Sequence, residues 1–383
     1  HSGRQTSGLV LDDARWGPQD YRYASDEQGL FLRHTVLWGA HRLSVGWERV
    51  DRDTVSAISD PGITTPRTNA ERYHMPWVAG EWRSGAWTWM AEAYWPRFTT
   101  RQRDRYADTA TGQDLLPAQD EGAAHHHRLL PRLGASLRLG PGRALHWAWQ
   151  ESVRAPGTHT LSPVATGAIA VDNQYLLAGS YARKHAVQLD WEASPTTFWG
   201  ASLSGQRISN LVAANGRLFA QNTGALFDNV ATIAPVVLNA QTTLNTYEET
   251  PLFGQGQLAQ ATVSVNHLLG PRWSVLGSYI HTTSRNTGAG LEGRWLPGFA
   301  RHVVLGQTTW RHEARSFSLL RLTWRGMRYS DEANTMQRAP GWSLALAHGW
   351  ESQDRRWSFT GTVQTGLRTG ERPTLWALVR YRD

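Results

Sequence analysis

The 383-residue chain contains no cysteine, which excludes a disulfide framework and any thiolate metal site. It has a single lysine, Lys184, among 39 basic side chains, so arginine carries almost all of the positive charge. No run approaches the ~20 consecutive apolar residues that a membrane-spanning helix needs. Charged residues make up 19% of the chain and mean hydropathy is negative, which excludes a helical membrane protein. A β-barrel is the one spanning structure left open, because only helices and closed barrels satisfy their own backbone hydrogen bonds in lipid. The net charge of +7 is scattered and forms no basic stripe interleaved with aromatics. Nucleic acid is therefore not expected as a partner.

What the chain has in excess is tryptophan, with 20 residues. Residues 77–82 run into a tight turn, and out of it come Trp87, Trp89, Ala91, Ala93 and Trp95 on one side of an extended chain. Thr88, Met90, Glu92 and Tyr94 fall on the other, which is strict period-two alternation and predicts a strand. A soluble sandwich would also bury such a face, so one hairpin does not choose between lipid and protein as its cover.

Further hairpins repeat along the chain. Strands are predicted at 30–38, 42–50, 77–82, 87–95, 133–139, 144–151, 185–192, 197–204, 257–268, 273–282, 302–310, 316–325, 342–350, 357–365 and 374–381, with a weaker one at 5–11. Short turns alternate with longer connections, among them the polar stretches 51–72 and 96–127 and the longest at 205–256. That parity belongs to outer-membrane barrels, whose periplasmic turns are short and extracellular loops long. The expected fold is all-β: a transmembrane antiparallel up-and-down β-barrel of about sixteen strands, a single domain over residues 1–383, in a bacterial outer membrane.

Two sets of side chains follow from this arrangement. Trp38, Trp82, Trp87, Trp273, Trp310, Trp350 and Trp357 lie beside short turns and form the expected girdle at the membrane interface, in contact with outer-membrane lipid and lipopolysaccharide. Alternation puts Arg42, Glu48, Glu92, Arg138, His146, Gln150, Gln188, Asp190, Glu192 and Gln364 on the opposite face, as lumen-lining candidates. Strand 316–325 breaks the pattern, with Phe317 and Leu319 on the same face as Arg321, and 302–310 reads as ambiguous on both faces.

Reactive constellations are scarce. His125, His126 and His127 are consecutive, and consecutive extended residues do not converge on one ion without further ligands. The acidic pairs Asp12-Asp13, Asp120-Glu121 and Asp331-Glu332 fall in predicted loops without general-acid context. Nucleophile-elbow, Walker-type and dinucleotide-type motifs are not found in the sequence. The expectation is a protein that is not an enzyme and has neither a cofactor nor a metal site.

The run Leu130-Pro131-Arg132-Leu133-Gly134-Ala135, then Arg154-Ala155-Pro156 and Leu161-Ser162-Pro163, resembles the barrel of TonB-dependent outer-membrane receptors. Tyr329-Ser330-Asp331-Glu332-Ala333-Asn334-Thr335 resembles the approach to the last strands of such barrels. About sixteen strands is fewer than the ~22 of those transporters. The overall shape also resembles plugless barrels preceded by periplasmic tetratricopeptide repeats, which include exopolysaccharide exporters. A chain beginning at His1 fits a mature chain or the C-terminal barrel portion of a longer protein. These likenesses imply two functions: a transport conduit, with polymer export as its cargo, and a receptor-like barrel for ligand uptake with an energy-coupling partner; a soluble all-β binding protein stands beside them as the control.

Overall fold

The computed structural model describes residues 2–13, 17–59, 63–154, 162–171, 179–210, 253–313, 315–366 and 374–381. Among the described residues there is no helix. Eighteen strands make antiparallel sheet, and four two-residue strands pair off as two small hairpins. The chain divides into two compact units, one of residues 1–136, 147–185 and 207–232, the other of 137–146, 186–206 and 233–383.

The first unit begins with β1 (Ser2–Asp13), β2 (Gly17–Trp38), β3 (His41–Ser59) and β4 (Ile63–Ser84), each paired antiparallel with the next. Two-residue turns join β2 to β3 at Gly39-Ala40 and β4 to β5 (Trp87–Tyr94) at Gly85-Ala86. Gly39 and Gly85 have φ of 57° and 58°, a conformation that costs glycine little and other residues more. β4 is 22 residues long and has two partners on the same side. Residues 77–84 pair with β5, and residues 63–74 pair with β6 (Arg97–Asp108). β5 and β6 are therefore one line of strand interrupted at Trp95-Pro96, where Trp95 N donates to Pro76 O at 3.0 Å. β7 (Asp114–His127) pairs with β6, and β8 (Leu130–Gly140) pairs with β5 in the same way. With two pairs of strands in line, the 18 strands occupy sixteen positions.

The structure corrects the connections expected at 51–72 and 96–127: residues 51–59, 63–72, 97–108 and 114–127 are strand extensions. Alternation disappears there because both faces are polar. Ser25, Arg52, Thr54, Asn69, Glu71 and Thr100 are buried on one side, while Arg49 and Arg72 bind Asp51 and Asp53 on the other. A strand that leaves the apolar layer keeps its ladder and loses the period-two signal. The loop expected at 205–256 lies largely outside the described residues.

The apolar faces are exposed. Leu37, Trp89, Leu133, Trp147, Val187 and Leu346 are each at least 36% accessible, and the seven turn-flanking tryptophans lie between 38% and 49%. A soluble protein would bury rows of this kind, so the all-β soluble alternative fails on this observation. The buried clusters sit on the opposite face. In the first unit Val50, Tyr73, Met75, Trp77, Tyr94, Phe98, Leu130 and Val153 pack together. Trp77 is the register partner of Gly46, and a methyl group there would overlap the Trp77 indole.

In the second unit β14 (Gln255–Leu268), β15 (Trp273–Asn286), β16 (His302–Glu313), β17 (Ser316–Arg325), β20 (Gly341–Glu351), β21 (Trp357–Gly366) and β22 (Thr374–Tyr381) pair in sequence. The two irregular strands are explained here. Val303 and Leu305 of β16 are buried against Ile280 and Ala300, while Val304 and Trp310 are exposed, so β16 is apolar on both sides. β17 buries Leu319 together with Arg321, Thr323 and Arg325. Trp273 stacks on Trp310 with centroids 5.2 Å apart.

Aromatic and histidine side chains on the outward faces of strands recur eight residues apart, as Trp87 and Trp95, Trp273 and His281, His302 and Trp310, and Trp342 and Trp350. Eight residues of strand span about 26 Å, and strand tilt brings this close to the apolar band of an outer-membrane barrel.

Candidate functional site

In the first unit a segment of chain folds onto the polar face. β10 (Ala165–Thr166) and β11 (Ile169–Ala170) form a hairpin over residues 162–171, between β9 (Arg143–Val153) and β12 (Tyr181–Ser194) in sequence. Its peptide groups are bound by side chains that strand alternation points at it. Glu48 accepts the Ser162 amide at 2.8 Å. Glu92 accepts the Thr166 hydroxyl at 3.1 Å and the Tyr94 hydroxyl at 2.7 Å. Gln150 donates to Ile169 O at 2.9 Å. Arg132 donates to Pro163 O and to Glu151 O, each at 3.2 Å.

Arg132 is the electrostatic centre of this cluster. Its guanidinium lies 3.8 Å from the Glu92 carboxylate and 3.8 Å from the centre of the Tyr94 ring. Glu48, Glu92, Arg132 and Gln150 are all buried. Charges so removed from water are tolerated only when paired and hydrogen-bonded. Gly134 and Gly167 meet backbone to backbone, so the hairpin sits directly on β8.

Of the ten lumen candidates, Glu48, Glu92 and Gln150 come together under the hairpin. Arg42 pairs with Glu81 at 2.7 Å. In the second unit His146 approaches Asp190 at 3.3 Å, and Gln188 donates to Asp190 at 2.9 Å. Arg138 and Glu192 are exposed near the short turns, and Gln364 is half-buried opposite Ala345. Sequence reasoning missed Tyr73, Tyr94, Arg132 and Glu151. Arg132 was recoverable, since it alternates with the exposed Leu133.

The second unit also has covered loops. Glu332 accepts Asn286 Nδ2 at 2.9 Å and the Gly254 amide at 3.1 Å. Asn334 binds the Trp295 amide at 2.7 Å and its carbonyl at 2.9 Å. Beneath them Phe253, Leu296, Phe299 and Ala300 are essentially inaccessible. His125, His126 and His127 lie on β7 opposite Thr99, Phe98 and Arg97. Among the described residues no three His, Cys, Asp or Glu converge on one ion position.

No family model and no curated protein matches the sequence. Solved structures do match. The ferric yersiniabactin uptake receptor FyuA from Yersinia pestis superposes with a TM-score of 0.58 at 11% identity, over 99% of this chain and 56% of that one. The fold is that of an outer-membrane β-barrel. The closed form of the ferric-catecholate import receptor Fiu from K12 E. coli gives 0.55 at 12% identity, over 100% of this chain and 61% of that one. The siderophore receptor PiuA from Acinetobacter baumannii gives 0.53 at 11%, over 99% and 61%. This chain thus spans between 56% and 61% of the length of those receptors. It has a transmembrane antiparallel β-barrel fold.

Proposed function

We propose that the chain is the barrel of an outer-membrane receptor that takes up a ligand from outside the cell, with residues 1–383 as one barrel domain. The observation that carries this reading is the folded-in hairpin 162–171, held on the polar face by Glu48, Glu92, Arg132 and Gln150. A polymer exporter needs that path clear, whereas a receptor needs it obstructed until a ligand is bound. The likeness to siderophore receptors supports ferric chelates as the ligand class. The same resemblance supports an energy-coupling partner on the periplasmic side.

On this reading the seven tryptophans beside the short turns form the periplasmic girdle, against outer-membrane lipid. Arg42, Arg138, His146, Gln188, Asp190, Glu192 and Gln364 belong to the lumen-facing sides of their own strands. The decisive measurement is single-channel conductance of the chain in planar bilayers, combined with tryptophan-fluorescence titration against a panel of ferric siderophores. A low-conductance barrel that binds a ferric chelate at micromolar or lower concentration is expected. An open pore that binds none of the panel restores the export conduit.

A further inference from the structure

We propose that His281, His302 and Tyr279 bind one divalent transition-metal ion on the exposed face of β15 and β16. His281 and His302 are direct cross-strand partners. Tyr279 shares their face and is 42% accessible, while both histidines are half-buried. Ile280 and Val303, which point the other way, are buried and fix the backbone of both strands.

Three heteroatoms converge here. The two Nδ1 atoms are 3.4 Å apart, and the Tyr279 hydroxyl lies 2.8 Å from His302 Nδ1. Protons alone account poorly for this arrangement. An imidazole nitrogen is either a donor or an acceptor, so His302 Nδ1 satisfies one neighbour at a time. The separation of 3.4 Å between the nitrogens is also long for an N–H donor, whose usual range ends at ~3.2 Å. A tetrahedral zinc ion with two Zn–N bonds of about 2.05 Å holds its imidazole nitrogens about 3.3 Å apart. The nitrogen spacing is that bite; the phenol oxygen, 2.8 Å from His302 Nδ1 and so at hydrogen-bond spacing without metal, becomes a third donor by moving about 0.5 Å outward, which leaves a fourth position open to water.

A second histidine pair shows the contrast. Ser318 Oγ lies 2.7 Å from His312 Nε2 and 3.1 Å from His348 Nδ1. One hydroxyl can donate to one ring and accept from the other, so protons complete that site and no ion is called for. At His281 and His302 no hydroxyl bridges the rings. Two imidazoles and a phenol suit zinc, copper or nickel rather than magnesium or calcium. Such an ion would clamp β15 to β16 eight residues from the Trp273–Trp310 stack. The proposal is independent of the receptor reading, because these side chains belong to the exposed face and not to the polar one.

The test is calorimetric titration of Zn²⁺ into the full chain in detergent micelles after removal of metals with a chelator. His281→Ala and His302→Ala should each weaken the tightest site at least about tenfold, the low end of the loss when even an outer-shell partner is removed. Tyr279→Phe should weaken it less, and His127→Ala should leave it unchanged. Parent-like titrations of both alanine variants would overturn the proposal. Where an alanine variant fails to fold, zinc-edge X-ray absorption of the unaltered chain decides. A nitrogen and oxygen shell at about 2.0–2.1 Å with two imidazoles supports the site, and one imidazole or none overturns it.

Discussion

Arg132 stands with its guanidinium carbon 3.8 Å from the centre of the Tyr94 ring, and its Nη1 is 3.8 Å from the Glu92 carboxylate. Both charges are buried, at 6% accessibility each. Arg132→Ala leaves Glu92 without its cation and should cost on the order of 3–5 kcal/mol, as when one partner of a buried pair is removed. The denaturant midpoint of the folded barrel in detergent measures this. The double variant Arg132→Met with Glu92→Gln should recover much of the loss.

Trp147 and Leu346 are 40% and 49% accessible on the apolar face. Arginine at either position should impair assembly, with a penalty of about 2–4 kcal/mol near the bilayer midplane. Arg138→Ala, at the exposed end of β8, should assemble normally. Heat-modifiable mobility on a denaturing gel separates the two outcomes.

Gly46 gives Trp77 the space to lie flat across β3. Gly46→Ala should lower stability by about 1–3 kcal/mol, the cost of overpacking a filled core. A thermal melt of the detergent-solubilised chain reads the change, and Gly205→Ala, with open space around it, should leave the melt unaltered.

Asp331 closes the loop between β18 (Arg328–Tyr329) and β19 (Gln337–Arg338). It accepts the Met336 amide at 2.8 Å, the Thr335 amide at 3.0 Å and the Thr335 hydroxyl at 2.8 Å. Burial pushes its pKa up, and these bonds together pull it down further, so the carboxyl titrates below its ordinary range. A pKa depressed on folding contributes stability that is present above the unfolded value and lost as pH falls through the folded one. Asp108, held by the Thr111 amide, and Asp354, held by the Ser352 hydroxyl, carry the same sign. Hydrogen-exchange protection in residues 328–338, relative to the intrinsic rate at each pH, should therefore fall below about pH 4. Asp331→Asn should reproduce that loss of protection at neutral pH.

The membrane-crossing parts of the strands were legible because water and lipid impose opposite demands on alternate residues. Trp87, Trp89 and Trp95 against Glu92 and Tyr94 is that demand written out. Residues 51–59 and 63–72 have no such contrast, since Arg52 and Glu71 are buried beside polar neighbours while Asp53 and Arg72 meet solvent. Their strands are held by the hairpin pairing of 51–59 with 64–72, which no alternation of apolar and polar residues records. The hairpin at Ala165 to Ala170 was unreadable for a related reason: its position depends on Glu48 and Glu92, more than 70 residues earlier in the chain. The tryptophans beside short turns carry a local mark, the turn itself, whereas His281 and His302 lie eight residues from those turn-side positions and carry none. The eight-residue spacing from Trp273 and Trp310 was the available signal.

The break at Trp95-Pro96 also describes how such a wall can be lengthened. Residues 97–127 enter and leave between two strands that already neighbour each other below, while unbroken β4 runs alongside as a splint. The arm is thus an insertion that the wall does not depend on for its own ladder. It is a natural place to graft an epitope or an affinity tag, or to trim the protein back to its membrane-embedded height.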